Sequence, residues 1–365
     1  MADTCGHRER TDSKNPYPWE DTVRFSKTLR PWLGAALIAA IAAVPVLSAD
    51  QARADDKVVV GALRFTSHAA GFIAYEKGYF KDEGLDVEFK FFQAAQPIAV
   101  ATAGGDVDFG IAGVTGGFMN LANKDAVRLV AGVLHEKKGV DGMMIVASNK
   151  AYEEGLDSVD KLKGHSIAMT QVGSTFHYMT SRIADQLGWS IEDVKLVPLQ
   201  KVGAMIAAVK SGQVDAMIMV PHIAKPLVEN GDAEMLGWLY DYAEYQISGL
   251  FTSVKNIETR RDMVERFVRA YAKGIADFNR VMLAENADPA EQEEMIEMIH
   301  NYVYEDQPIE KAAPSILAGS MNLNEDGAMD VTDIKKQMEW FQAQGLVPSD
   351  LTIEKLADTS FVDTY

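Results

Sequence analysis

The chain has 365 residues, with 35 Lys and Arg against 53 Asp and Glu, a formal net charge of −18 at pH 7. That length, with 47% hydrophobic residues, supports a sizeable core spread over two lobes rather than one. The acidic balance argues against nucleic acid or an anionic membrane surface as the main partner, since both need a positive field. The lone cysteine, Cys5, excludes an internal disulfide and any metal site built on several thiolates.

The N-terminus reads as an export address. Trp32–Leu47 carries no charge, Arg24, Lys27 and Arg30 precede it, and Ala52-Arg53-Ala54 places small residues at −3 and −1 of a cleavage site. A basic region, a short apolar run and A-x-A form the pattern of a secretory signal peptide. The apolar run has 16 residues and contains Pro45, short of the roughly 20 that a spanning helix needs. Residues 1–54 are therefore expected to be removed, with Asp55 the first residue of the mature protein. They hold seven Lys or Arg and six Asp or Glu, so the mature chain carries −19 and no cysteine. With no Cys after the apolar run, nothing is available to lipidate. A non-lipidated protein free in the periplasm is the expectation, with no membrane insertion after cleavage.

From Lys57 onward strands and helices alternate. Lys57–Arg64 is a β-branched run, Gly71–Tyr79 reads as a helix, and Leu85–Phe92 alternates like a strand. Pro97–Ala103 reads as a helix ended by Gly104-Gly105, and Asp106–Ala112 as a strand. The loop Gly113–Gly117 opens another helix, and Val127–Leu134 and Met143–Ala147 read as two more strands. The order then repeats. Ser166–Met169 is a strand, Ser174 caps a helix that Gly188 closes, Lys195–Leu199 is a strand and Val202–Lys210 a helix leading to the strand Ala216–Val220. Residues 101–113 and 208–220 share the pattern A-x-x-x-G-x-V-D-x-x-I. That placement implies two similar α/β lobes.

Past Leu250 the character becomes helical. Thr259–Asp262 reads as a capping box before Val264, Phe267, Val268, Tyr271, Ile275 and Phe278 at helical spacing. Asp288-Pro289 opens a second helix as N-cap and N1, and a third spans about Thr332 to Gln344. These apolar stripes read as core.

In α/β sheets, ligands bind beyond the carboxyl ends of the strands, where helix N-termini offer N–H groups. Five loops qualify, and they are rich in Gly, Ser, Thr, Gln and His and poor in charge. Ser67, His68, Gln96 and Thr115 are the candidates in the first half. Gln171, Gly173, Ser174, Thr175 and His222 are those in the second, with Ser174 able to cap its helix, contact a ligand, or both. Phe65, Phe92, Phe118, Phe176, Trp238 and Tyr240 lie beside these loops. The histidines show no metal-ligand spacing, so neither metal nor cofactor is expected. No nucleophile elbow, phosphate-binding loop or dinucleotide fingerprint follows any strand, which disfavours an enzyme.

The segments EKGYFKDEGLDVEF (76–89) and GGDVDFGIAG (104–113), with GSTFHY (173–178) and SGQVDAMIM (211–219), resemble the nitrate/sulfonate/taurine-type substrate-binding proteins of ABC importers. The resemblance spans roughly residues 57–280. It implies an α/β type II periplasmic-binding fold: two lobes, two chain crossings and a ligand cleft between them. The implied division assigns residues 55–149 and 246–365 to the first lobe and 150–245 to the second, with crossings near Asn149 and Tyr245. It also implies a monomer that hands a small, anionic organic solute to a permease by hinge closure. Sulfonate, carboxylate and a neutral pyrimidine all remain open as ligands. Taurine would need a carboxylate such as Asp141 or Glu244 near its ammonium. A periplasmic enzyme on the same scaffold is the other reading. The thiol-dependent enzymes and iron-using pyrimidine synthases of similar architecture conflict with a mature chain that has no cysteine.

Overall fold

A computed structural model describes residues Asp55–Tyr365. The export segment, its cleavage site and Cys5 lie outside the described residues. The chain begins with β1 (Asp56–Ala62), α1 (Ala69–Glu76), α2 (Tyr79–Asp82), β2 (Leu85–Phe91), α3 (Ala95–Gly104), β3 (Phe109–Gly113), α4 (Gly116–Asn123) and β4 (Val127–Gly132). A two-residue strand, β5 (His135–Glu136), leads away to β6 (Met144–Ala147), α5 (Asn149–Glu153), β7 (Ser166–Met169), α6 (Thr175–Leu187) and β8 (Lys195–Pro198). Then follow α7 (Val202–Lys210), β9 (Ala216–Met219), α8 (Pro221–Glu229) and β10 (Glu234–Trp238). The chain returns through β11 (Tyr245–Gln246) into β12 (Ser248–Ser253) and α9 (Val254–Thr259). It ends in α10 (Arg261–Met282), α11 (Pro289–Val303), α12 (Ile309–Ala318), α13 (Val331–Ala343) and α14 (Ile353–Leu356).

Two five-stranded sheets result, with orders β2-β1-β3-β12-β4 and β8-β7-β9-β6-β10. Each has a parallel trio and one antiparallel strand next to the third member: β12 against β3, and β6 against β9. The two orders are the same pattern, so the internal repeat in sequence is a repeat of architecture.

The V-D pair of each copy has one structural job. Asp108 accepts the Val59 N–H of β1 at 2.9 Å, and Asp215 accepts the Ser166 N–H of β7 at 2.8 Å. Both bonds span 49 residues. In each lobe a carboxylate at the start of the third strand thus ties down the first, where a hydrogen bond to a charged acceptor contributes about 1.5–3 kcal/mol.

The two sheets are joined by the paired strands β5 and β11, with Tyr245 opposite Glu136 and Gln246 opposite His135. The first crossing therefore lies at β5, ahead of the expected Asn149. Met144–Ala147 pairs with β9 and β10, in the second sheet. An apolar four-residue strand carries no signal of which sheet it will join, because its partners are remote in sequence.

The long helix α10 buries Val264, Phe267, Val268, Tyr271, Ile275 and Phe278 against the first sheet's layer. Phe267 stacks on Phe109 at 3.9 Å and on Phe80 at 4.7 Å between ring centroids. Each such ring withdraws apolar surface worth about 1.5–3 kcal/mol. The expected capping box at Thr259 does not form. Arg260 is the N-cap and makes no side-chain capping bond, while Thr259 donates back to the Lys255 carbonyl. Asp288 does cap α11, accepting the Ala290 N–H at 2.9 Å with Pro289 at N1. The helix α12 goes unmarked in sequence because Pro314 interrupts its pattern. It packs on α8 of the second lobe, where Lys225 donates to the Ala318 carbonyl at 2.9 Å. Among the described residues, no helix is long and apolar enough to cross a membrane.

Candidate functional site

The loops after β1 and β3 face the loops after β7 and β9 across the gap between the sheets. They enclose a cavity of about 60 Å³, room for a solute of only a few heavy atoms. Seven of the nine residues expected from sequence line it: Ser67, His68, Gln96, Thr115, Gln171, Ser174 and Thr175. Gly173 and His222 do not.

Ser174 is 2% exposed and stands at the N-cap of α6, yet its hydroxyl caps nothing. Its Oγ is buried with no hydrogen-bond partner. Capping by the Ser174 side chain, one expected role, is therefore absent. A helix start leaves several N–H groups without intrahelical partners; here the Ser174 N–H donates to the Gln171 carbonyl and the His177 N–H to the Ser174 carbonyl, while the Ser174 hydroxyl covers none of them. The 13-residue α6 adds the positive end of its dipole at this point.

Thr115 is spent differently. Its Oγ1 accepts the Phe118 N–H at 3.0 Å as the cap of α4 and donates to Gln96 Oε1 at 3.0 Å. With its oxygen already accepting from Thr115, Gln96 still has its NH₂ to offer. His68 accepts the Leu63 N–H at Nδ1 at 3.2 Å, so the proton sits on Nε2. Burial pushes His68 down to about 3, which keeps the ring neutral. Ser67, His68, Gln96, Ser174 and Thr175 thus supply polar groups to a lining whose surface is mostly apolar.

Gly173 lies one step outside the cavity, in a left-handed conformation (φ +79°) that favours glycine. Its N–H donates to His177 Nδ1 at 3.1 Å, and its carbonyl accepts the Gly116 N–H at 2.8 Å. Burial lowers the His177 pKa, so that ring is a neutral acceptor. His222 lies outside too. Thr66 Oγ1 gives its single proton to the Gly319 carbonyl at 2.7 Å, so it accepts from His222 Nδ1 at 3.1 Å. Burial, then the neighbouring His68, push His222 down to about 3. Both residues join the lobes to each other.

Sequence reasoning missed the apolar wall: Leu63, Leu134, Met143, Met179, Val202, Val220 and Ile247. Of the aromatics flanking the loops, Phe65 and Phe176 reach the cavity. Phe118 is core against Phe251, and Trp238 stacks on Tyr240. No described residue lining the cavity carries a charge. Asp141 pairs with Lys225, Glu244 accepts the Lys138 N–H at 2.8 Å, and neither residue lines the cavity. Among the described residues, no group of three His, Cys, Asp or Glu is arranged to hold a metal.

Two α/β lobes of matching strand order, two linking strands and a cavity at the strand ends define the fold of the periplasmic binding proteins. The chain belongs to the NMT1/THI5-like family, whose model matches residues 65–280. No curated protein matches it in sequence. The fold is similar to the alkanesulfonate-binding protein SsuA of Xanthomonas axonopodis pv. citri, solved with MOPS. That match has a TM-score of 0.67 and 18% identity, covering 84% of this chain and 100% of that one. The periplasmic aliphatic sulphonate binding protein SsuA of Escherichia coli gives 0.63 and 16%, covering 83% of this chain and 92% of that one. The periplasmic nitrate-binding protein NrtA of Synechocystis PCC 6803 gives 0.63 and 14%, covering 83% and 86%. These three neighbours are binding proteins.

Proposed function

We propose that the protein is a solute-binding component of an ABC importer and clamps a small organic anion, a short sulfonate or carboxylate, in the interlobe cavity. The observation that carries this reading is the buried, unpartnered Ser174 Oγ at the start of α6, in a residue that lines the cavity. An oxyanion offers only acceptors, and N–H and O–H groups at a helix start complement it. The apolar wall suits a short tail, which bare nitrate lacks. The clamp closes by rotation about β5 and β11. The protein is exported to the periplasm with residues 1–54 removed, acts as a monomer, and passes its solute to a permease.

A thermal-shift panel tests this reading, with ethanesulfonate, propionate, taurine, nitrate and uracil as probes. A ligand at 100-fold excess over Kd stabilises by about 2.7 kcal/mol, which shifts the melting temperature visibly. Ethanesulfonate or propionate is expected to stabilise, and taurine, whose ammonium would meet no carboxylate, is not. Stabilisation by uracil or taurine alone would overturn the assignment.

A further inference from the structure

The helix α6 opens on half of a capping box. In the full motif the N-cap serine hydroxyl covers the N3 N–H, and the N3 side chain reaches back to cover the N-cap N–H. Here the serine half is missing. The N–H of His177, the N3 residue, goes to the Ser174 carbonyl at 3.1 Å, and the Ser174 hydroxyl has no partner. The other half is present but moved back by one residue, since His177 Nδ1 accepts the Gly173 N–H at 3.1 Å. His177 thus holds two consecutive residues of the turn, one through its main chain and one through its ring. The Ser174 N–H is met by the Gln171 carbonyl at 3.1 Å. None of these bonds uses the serine hydroxyl, which stays available in the cavity lining.

His177 is itself braced by the C-terminal helix α13. The Trp340 ring meets it edge to face, 5.2 Å between centroids, and meets Tyr178 at 5.3 Å. The next residue, Phe341, lies against the facing turn, where a Cβ on Gly116 would stand 3.2 Å from its ring. Gly116 in turn donates to the Gly173 carbonyl at 2.8 Å. Neither His177 nor Trp340 lines the cavity, so their effect on it passes through the turn.

We propose that His177, braced by Trp340, is a positioning residue of the solute site: its ring fixes the Gly173 turn that presents Ser174 and Thr175 to the cavity. What the ring supplies is an acceptor at the δ position. Asparagine places its Oδ1 there, whereas leucine has comparable bulk and no acceptor. The proposal rests on the cavity being the solute site and not on which solute it holds.

Two measurements test it on His177→Leu and His177→Asn. Amide hydrogen exchange at Gly173 in the ligand-free protein is expected to be roughly tenfold faster in His177→Leu and close to wild type in His177→Asn. Calorimetry with ethanesulfonate is expected to show the same order, with affinity roughly tenfold lower in His177→Leu and largely restored in His177→Asn. Wild-type exchange or wild-type affinity in His177→Leu overturns the proposal, and so does a His177→Asn variant as impaired as His177→Leu. Should His177→Leu fail to fold, Trp340→Leu serves instead. It removes the brace and keeps the acceptor, and faster Gly173 exchange with weaker binding is expected; wild-type values for both overturn the proposal. If ethanesulfonate does not bind the wild type, the solute assignment fails, while exchange at Gly173 still decides whether His177 holds the turn.

Discussion

The N–H of Gly116, which opens α4 in the first lobe, donates at 2.8 Å to the carbonyl of Gly173, which precedes α6 in the second. This bond crosses the cleft beside the cavity, so the two helix starts meet where a solute would lie. The same loops that offer donors to a ligand also hold the lobes together. In the proposed clamp, binding and closure would be coupled through one set of residues.

Ser174→Ala combined with Thr175→Ala is expected to weaken binding of the best ligand tenfold or more. Each lost hydrogen bond contributes about 1 kcal/mol, and the site has no charged group to compensate. Isothermal calorimetry measures the change, and an unaltered affinity would remove these residues from the site.

Thr66→Val cuts the link from Gly319 through Thr66 to His222 and leaves the His222 donor buried without its acceptor. Closure should weaken by about 1–2 kcal/mol. In stopped-flow measurements the expected result is a dissociation rate several-fold faster, with association little changed. A variant altered only in its association rate would show that Thr66 does not latch the lobes.

The neutral histidines make the fold sensitive to acid. Burial depresses His68 and His222 to about 3, while an unfolded chain takes up the proton near the ordinary 6.5. The unfolded state thus binds more protons between those values, and stability falls as pH drops through that window. A combined His68→Gln and His222→Asn variant should lose stability less steeply below pH 6.5. Parallel denaturation midpoints against pH in the two proteins would contradict this.

Asp108→Ala and Asp215→Ala probe the repeat. Each leaves a strand N–H without its acceptor, and Asp108→Ala also unpairs Arg260. Losses of about 1–3 kcal/mol are expected in urea unfolding for each variant. A near-neutral effect for either would mean that the matching tethers are not what the repeated V-D preserves.

Much of this was legible without coordinates because it is local. The parallel strands, the helices after them and the Ser174–Thr175 helix start follow from short periodic runs and the residues that bound them. Seven of the nine site candidates reach the cavity because helix starts beyond strand ends converge in any sheet of this order. The linking strands β5 and β11 have two residues each, too short to show a period. The membership of β6 in the second sheet, the wall built by Leu134, Met143 and Ile247, and the packing of α12 on α8 all depend on partners far along the chain.

The opening charge and cysteine counts set limits that the fold then sharpened. Composition alone determined an acidic chain with a single thiol before the apolar run, and local pattern alone determined a doubled α/β unit. Tertiary structure decided that none of the charge reaches the cavity, since every described residue lining it is uncharged. It also placed Gly173 and His222 in contacts between the lobes, outside the cavity lining, and left Ser174 Oγ without a hydrogen-bond partner. The reason is physical. A hydrogen-bonding side chain has several possible partners along its own segment, and only the packed chain determines which of them remain unsatisfied.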